Sequence, residues 1–154
     1  MDATVKAQNM ALNLYFKRLN EKYHSYAVYC GISDPTLWVL YSVWGSEVPL
    51  TQNDICEKWM YPKQTVNFTI SGLVKKGYVQ LEQRSGAHSG KAVCLTEQGR
   101  ELCKKIIQPL IEAEEKSLLD MTEPARKLMI GLLEKHGLSF ENEIGKLMGD
   151  TAEG

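Results

Sequence analysis

The stretch Thr51–Gly99, TQNDICEKWMYPKQTVNFTISGLVKKGYVQLEQRSGAHSGKAVCLTEQG, decides the fold. Thr51 opens a helix, and Asp54 three residues on completes a variant capping box with Asp in place of Glu or Gln. Ile55 and Trp59 point inward, and the helix is short because Pro62 disfavours a helical residue before it. Pro62 starts a second helix that ends at Gly77. Val66, Ile70, Leu73 and Val74 form its apolar face, and Lys63, Gln64, Asn67, Phe68 and Ser71 lie opposite. Gly72 costs this helix about 1 kcal/mol relative to Ala and is expected to serve a close helix contact. The hydrophobic period then falls to two: Tyr78-Val79-Gln80-Leu81-Glu82 alternates, and Ala92-Val93-Cys94-Leu95 follows as a second strand. Between them, residues 83–91 are rich in turn formers, so the pair reads as a β-hairpin with a long loop.

Outside this stretch the pattern is helical. Leu12, Tyr15, Phe16, Leu19 and Tyr23 recur at intervals of three and four over residues 5–24, and Gly31 interrupts them. Asp34 with Pro35 starts a helix through Trp38, Val39, Leu40 and Val43, with Gly45 as its stop. Thr96 caps a long helix through Ile111, in which Pro109 predicts a kink. Thr122 with Pro124 starts a last helix that keeps its spacing across Gly137, with a frayed tail from about Asp150. The chain is thus mainly α with a small β-hairpin wing. A helix–turn–helix followed by a hairpin is a winged helix, here flanked by N- and C-terminal helices. The apolar stripes of those flanking helices exceed what one small winged helix can cover, which argues for a dimer.

A winged helix lays its second helix in the DNA major groove and reaches the backbone or minor groove with its wing. Gln64 and Asn67 carry amides that can pair bidentately with adenine, Thr65 can bond a phosphate or pack on a thymine methyl, and Lys63 can add a phosphate contact. Ser71 shares their face. Phe68 is unusual there: it either packs on thymine methyl groups or folds back onto the protein. Taken alone, the total charge opposes an anionic partner, since 18 basic against 19 acidic residues leave −1. The distribution removes the objection. Residues 60–105 hold eight cations and three anions, and the remainder holds ten cations and sixteen anions. Counterion release responds to the local cations.

Length and composition exclude other classes. A chain of 154 residues, 44% hydrophobic and 24% charged, buries a core without disulfides or metal. No apolar run approaches the roughly 20 residues of a membrane helix, and the charged N-terminal segment is unlike a secretory signal, so the expected compartment is the cytoplasm. Cys30, Cys56, Cys94 and Cys103 lack zinc-knuckle spacing, and no metal or other cofactor is expected. They read as structural thiols, with Cys30, after Tyr23, Tyr26 and Tyr29, as the one redox candidate. No glycine-rich phosphate loop or nucleophile elbow is present, and no enzyme is expected.

The motifs Leu50-Thr51, Pro62-Lys63-Gln64-Thr65-Val66-Asn67, Leu73-Val74-Lys75-Lys76-Gly77-Tyr78-Val79 and Leu95-Thr96-Glu97-Gln98-Gly99 closely resemble the MarR family of bacterial transcriptional regulators. The resemblance runs in element order over about residues 10–148. It implies one domain over 1–154, with a winged-helix part at 48–100 and dimerisation helices at 1–32 and 101–150. It further implies an obligate homodimer that reads a pseudo-palindromic operator in double-stranded DNA. Such a regulator acts as a repressor released by a small aromatic or anionic effector, or by oxidation of a cysteine. The effector cavity would lie near Tyr15, Tyr23 and Trp38. One departure stands out. Wings of the family carry an Asp-Arg-Arg-like run at the tip, whereas this tip reads Ser85-Gly86-Ala87-His88-Ser89-Gly90. Wing contact with DNA then falls to Arg84, His88 and Lys91. The alternative is a winged helix that binds protein instead of DNA, with Phe68 as its anchor.

Overall fold

Two Schellman motifs set the direction of the chain on either side of its central helices. A computed structural model describes residues 2–83 and 90–149. Helix α1 (Ala3–Tyr29) is capped by Asp2, whose carboxylate accepts the Thr4 N–H, and runs five residues beyond the expected end. It stops at Gly31, φ +72°, where the Ile32 N–H bonds the Ala27 carbonyl and the Gly31 N–H bonds that of Val28. Helix α2 (Asp34–Trp44) is capped by Ser33, which accepts the Thr36 N–H, and not by Asp34, which sits in the first turn. From there the Asp34 carboxylate lies 3.0 Å from His24 Nδ1 and ties the helix to α1.

Strand β1 (Leu50–Thr51) leads into α3 (Gln52–Trp59), and the Thr51–Asp54 capping box forms in both directions. Met60, φ +53°, turns the chain out of α3 ahead of Pro62. Helix α4 (Lys63–Lys75) ends in the second Schellman motif: Gly77 has φ +74°, the Tyr78 N–H bonds the Leu73 carbonyl and the Gly77 N–H that of Val74. Strands β2 (Val79–Gln83) and β3 (Lys91–Leu95) pair antiparallel from Val79 opposite Leu95 to Gln83 opposite Lys91. β1 adds to the other edge of β3, with Leu50 opposite Val93, giving the sheet order β1-β3-β2. That third strand has no sequence signature, because two residues show no period.

The helix expected to run with a kink from Thr96 to Ile111 is two helices, α5 (Glu97–Ile106) and α6 (Gln108–Leu119). Pro109 has no N–H to offer the Lys105 carbonyl and its ring crowds it, so the chain leaves the helix at Ile107. The Ile106 carbonyl accepts the Tyr26 hydroxyl at 2.7 Å instead of standing open. Burial and the neighbouring Cys30 push that phenol up to about 12. Trp44 Nε1 donates to Gln108 Oε1 at 3.1 Å just past the break.

Residues 1–110 form one compact unit and residues 111–154 a second. In the first, α2 packs against α1, α3, α4, α5 and β3. Leu37, Val39 and Leu40 of α2, Ile55 of α3, Val66 and Ile70 of α4, Val93 of β3 and Ile107 are fully or almost fully buried. On α4 the buried line is Val66, Thr69, Ile70 and Leu73, while Val74, expected inside, is exposed. Thr69 is tolerated there because its hydroxyl donates to the Thr65 carbonyl at 2.8 Å. In the second unit, α7 (Glu123–Met148) is one helix through Gly137. Arg126 donates to the Met121 carbonyl at 2.6 Å before the helix runs on. Leu128, Ile130, Leu132, Leu133, Leu138 and Phe140 are all exposed along it, and on α1 so are Val5, Met10, Leu14, Phe16 and Leu19.

Two glycines behave in opposite ways. A Cβ on Gly99 would lie 1.9 Å from the Tyr78 carbonyl oxygen, whereas one on Gly72 meets nothing within 4 Å, so Gly72 makes no close helix contact. Gly99→Ala is expected to destabilise by about 3 kcal/mol or more, and Gly72→Ala to stabilise by about 0.5–1 kcal/mol, both read from urea unfolding midpoints. Burial pushes the Cys103 thiol from 9.0 up to about 12. The unfolded chain therefore releases this proton first, and stability falls as pH rises from about 9 towards 12. Cys103→Ala should flatten that decline in unfolding measured across the range. Native-state alkylation at pH 8 should spare Cys103 and label half-buried Cys30.

Candidate nucleic-acid interface

Burying Val66, Thr69, Ile70 and Leu73 turns the opposite side of α4 to solvent. At about 100° per residue, Lys63, Asn67, Ser71, Gln64 and Phe68 then span an outward arc of about 140°. All five are exposed and line one shallow hollow of about 370 Å³. The Ser71 hydroxyl donates to Asn67 Oδ1 at 3.4 Å and steadies that amide one turn away. Phe68 does not fold back: it is 83% exposed and has no ring partner among the described residues. Thr65 stands apart from this group, half-buried at the edge of the helix, with its carbonyl taken by Thr69. Lys75, exposed in the last turn, falls on the same outward arc.

The wing adds a second polar patch. Lys91 opens β3 and, with Thr51, Gln52, Asn53, Leu81 and Gly90, lines a hollow of about 230 Å³. Gln52 and Asn53 occupy the first turn of α3, just after its N-cap Thr51. These two escaped the sequence reading because only the β1–β3 pairing brings them to the wing. Arg84 and His88 lie outside the described residues.

Of the three residues expected around a ligand, Tyr23 and Trp38 meet, with ring centroids 4.9 Å apart. Tyr15 is exposed and touches Phe16 instead. Trp38 also stacks on Trp59 at 4.5 Å, and Tyr41 meets both edge-on at 5.5 and 5.8 Å. Trp59 Nε1 donates to the buried Ser42 hydroxyl. The three-residue spacing of Trp38 and Tyr41 put them on one side of α2, but Trp59 joins them only through the packing of α3. Cys30 caps α1 beside Tyr26 and is half-buried. Among the described residues, no group of three or more His, Cys, Asp or Glu side chains gathers to hold a metal, and no helix is long and apolar enough to cross a membrane.

Known proteins share this fold. Residues 31–89 match the model of the MarR family. No curated protein matches the chain at a significant level. Among solved structures, the MarR family regulator NMB1585 from Neisseria meningitidis superposes with a TM-score of 0.77 at 20% identity, over 90% of this chain and 97% of that one. A MarR/EmrR family transcriptional regulator from Acinetobacter sp. ADP1 gives 0.66 at 24%, over 92% and 99%. MepR of S. aureus in complex with DNA gives 0.69 at 19%, over 84% and 94%. At these identities the superpositions establish the shared fold, and the family model covers the segment that holds α2, α3, α4 and β2. The chain shares the winged-helix fold of these regulators, and its residues 31–89 are similar to the MarR family.

Proposed function

We propose that the chain is a dimeric, sequence-specific DNA-binding transcriptional regulator that lays α4 in the major groove. The observation that carries this reading is the outward face of α4. It sets two amides, a hydroxyl, a lysine and a phenyl ring on a helix whose other side is locked into the core. Lys91 and the α3 N-terminus stand ready for the flanking phosphates. MepR, which shares the fold, has been solved bound to DNA. The second copy is supported by the apolar residues exposed along α1 and α7, and this reading gives residues 1–32 and 101–150 to dimerisation and 48–100 to DNA. The chain acts in this reading as a cytoplasmic repressor. Release comes from a small aromatic or anionic effector at the Tyr23–Trp38–Tyr41–Trp59 cluster, or from oxidation of Cys30.

A second reading uses the same face for protein, because Phe68 is exposed as an interface anchor would be. The lysines and amides around it favour DNA. Selection of duplexes from a random pool separates the two. The regulator should enrich a palindrome with half-sites about one helical turn apart, and no complex even at low salt would eliminate it. On the selected duplex, Lys63→Ala or Lys91→Ala should weaken binding to all sequences and lower the salt slope by about one each. Gln64→Ala or Asn67→Ala should instead relax preference at one base pair by ~1–3 kcal/mol.

A further inference from the structure

We propose that Phe68 reads a thymine methyl group, so that each half-site contains an obligatory thymine beside the adenines bound by Gln64 and Asn67. The proposal rests on the DNA-binding reading of α4 and names what that face selects. The ring has no structural task. The core side of α4 is already filled by Val66, Thr69, Ile70 and Leu73, and Phe68 is 83% exposed. Its surroundings choose its partner. Lys63, Gln64, Asn67 and Ser71 share its hollow, so a surface docking here must be anionic and rich in hydrogen-bonding edges, with one apolar spot at the ring. The floor of the major groove has that composition. Its bases present donors and acceptors, and the C5-methyl of thymine is the apolar group among them.

The spacing agrees. Gln64 and Phe68 are one turn apart, about 6 Å along the helix, while Asn67 precedes the ring by one residue and is held by Ser71. Amides that select adenine place thymines on the opposite strand, with their methyls in the same groove. Cytosine at the Phe68 position has only a C5–H where thymine carries its methyl, so the ring loses that apolar contact. The ring therefore favours thymine over cytosine without making a hydrogen bond itself.

The test removes one methyl group at a time. A duplex selected by the full-length protein is resynthesised with uracil in place of each thymine of the half-site, which deletes the C5-methyl and leaves pairing intact. Wild type should lose about fourfold in affinity at one thymine. Phe68→Ala, a change at an exposed position, should bind the thymine and uracil duplexes equally, with the wild-type salt slope because no phosphate contact is lost. Specific binding by wild type with no thymine–uracil difference at any position would overturn the proposal and leave the regulator intact. Persistence in Phe68→Ala of every thymine–uracil difference seen in wild type would do the same. Absence of any sequence-selective complex would overturn both.

Discussion

The geometry of this winged helix depends on a junction that four elements share. Thr96, the N-cap of α5, does three things there. Its hydroxyl accepts the Gly99 N–H at 3.0 Å and donates to the Gly77 carbonyl, while its own N–H bonds the Tyr78 carbonyl at 3.1 Å. Gly77 ends α4, Tyr78 precedes β2, and Thr96 follows β3. One residue thus fixes where α4 stops, where the wing begins and where the chain re-enters the core. The approach is close enough that Gly99 must lack a side chain. If this joint loosened, α4 and the wing would lose their relative angle, which the proposed contact of both with one duplex requires.

That rigidity lets the outer face of α4 be chemically specialised. Helix propensity and packing are satisfied on one side, so the other is free to carry residues chosen for what they touch. The same separation explains the charge. A protein close to neutral overall concentrates its cations in residues 60–105 and its anions elsewhere. Screening limits surface charge effects to about 8–10 Å, so an anion approaching this segment would respond to its lysines and not to distant glutamates.

Much of this was legible in the sequence because it rests on local rules. The Thr51–Asp54 box, the Gly77 stop, the switch to a two-residue period and the Thr96 cap each act within a few residues. What escaped was set at longer range or by competition between equals. Ser33 and Asp34 can both cap, and only the fold of the turn decides for Ser33. β1 exists because β3 has an edge to offer, not because Leu50-Thr51 prefers a strand. Val74 and Thr69 exchanged places because the buried line of α4 is rotated towards Thr69, and periodicity alone weighs a valine above a threonine. Pro109 signalled a disturbance correctly. Whether it bends or divides the helix depends on partners such as Tyr26, which takes the carbonyl freed at Ile106. For the site, Lys63, Gln64, Asn67, Phe68 and Ser71 followed from helix phase. Gln52 and Asn53 needed the sheet, and Trp59 needed the α2–α3 contact.

The aromatic cluster joins these two scales. Trp59 is the last residue of α3, three positions before Pro62 and the start of α4, and it is clamped by stacking on Trp38 and by its bond to Ser42, both on α2. Between it and α4 lies Met60, held at positive φ, where a non-glycine residue is strained. In the proposed reading, this short link couples Trp59 to the start of α4. A ligand changes an equilibrium only by binding two arrangements differently. In the proposed reading, an effector inserted between Trp38 and Trp59 meets that condition, because it cannot occupy the stacked arrangement. In that reading the effector's own contacts must exceed the stacking lost between the rings, and the surplus is what could shift the first turn of α4, with Lys63 and Gln64.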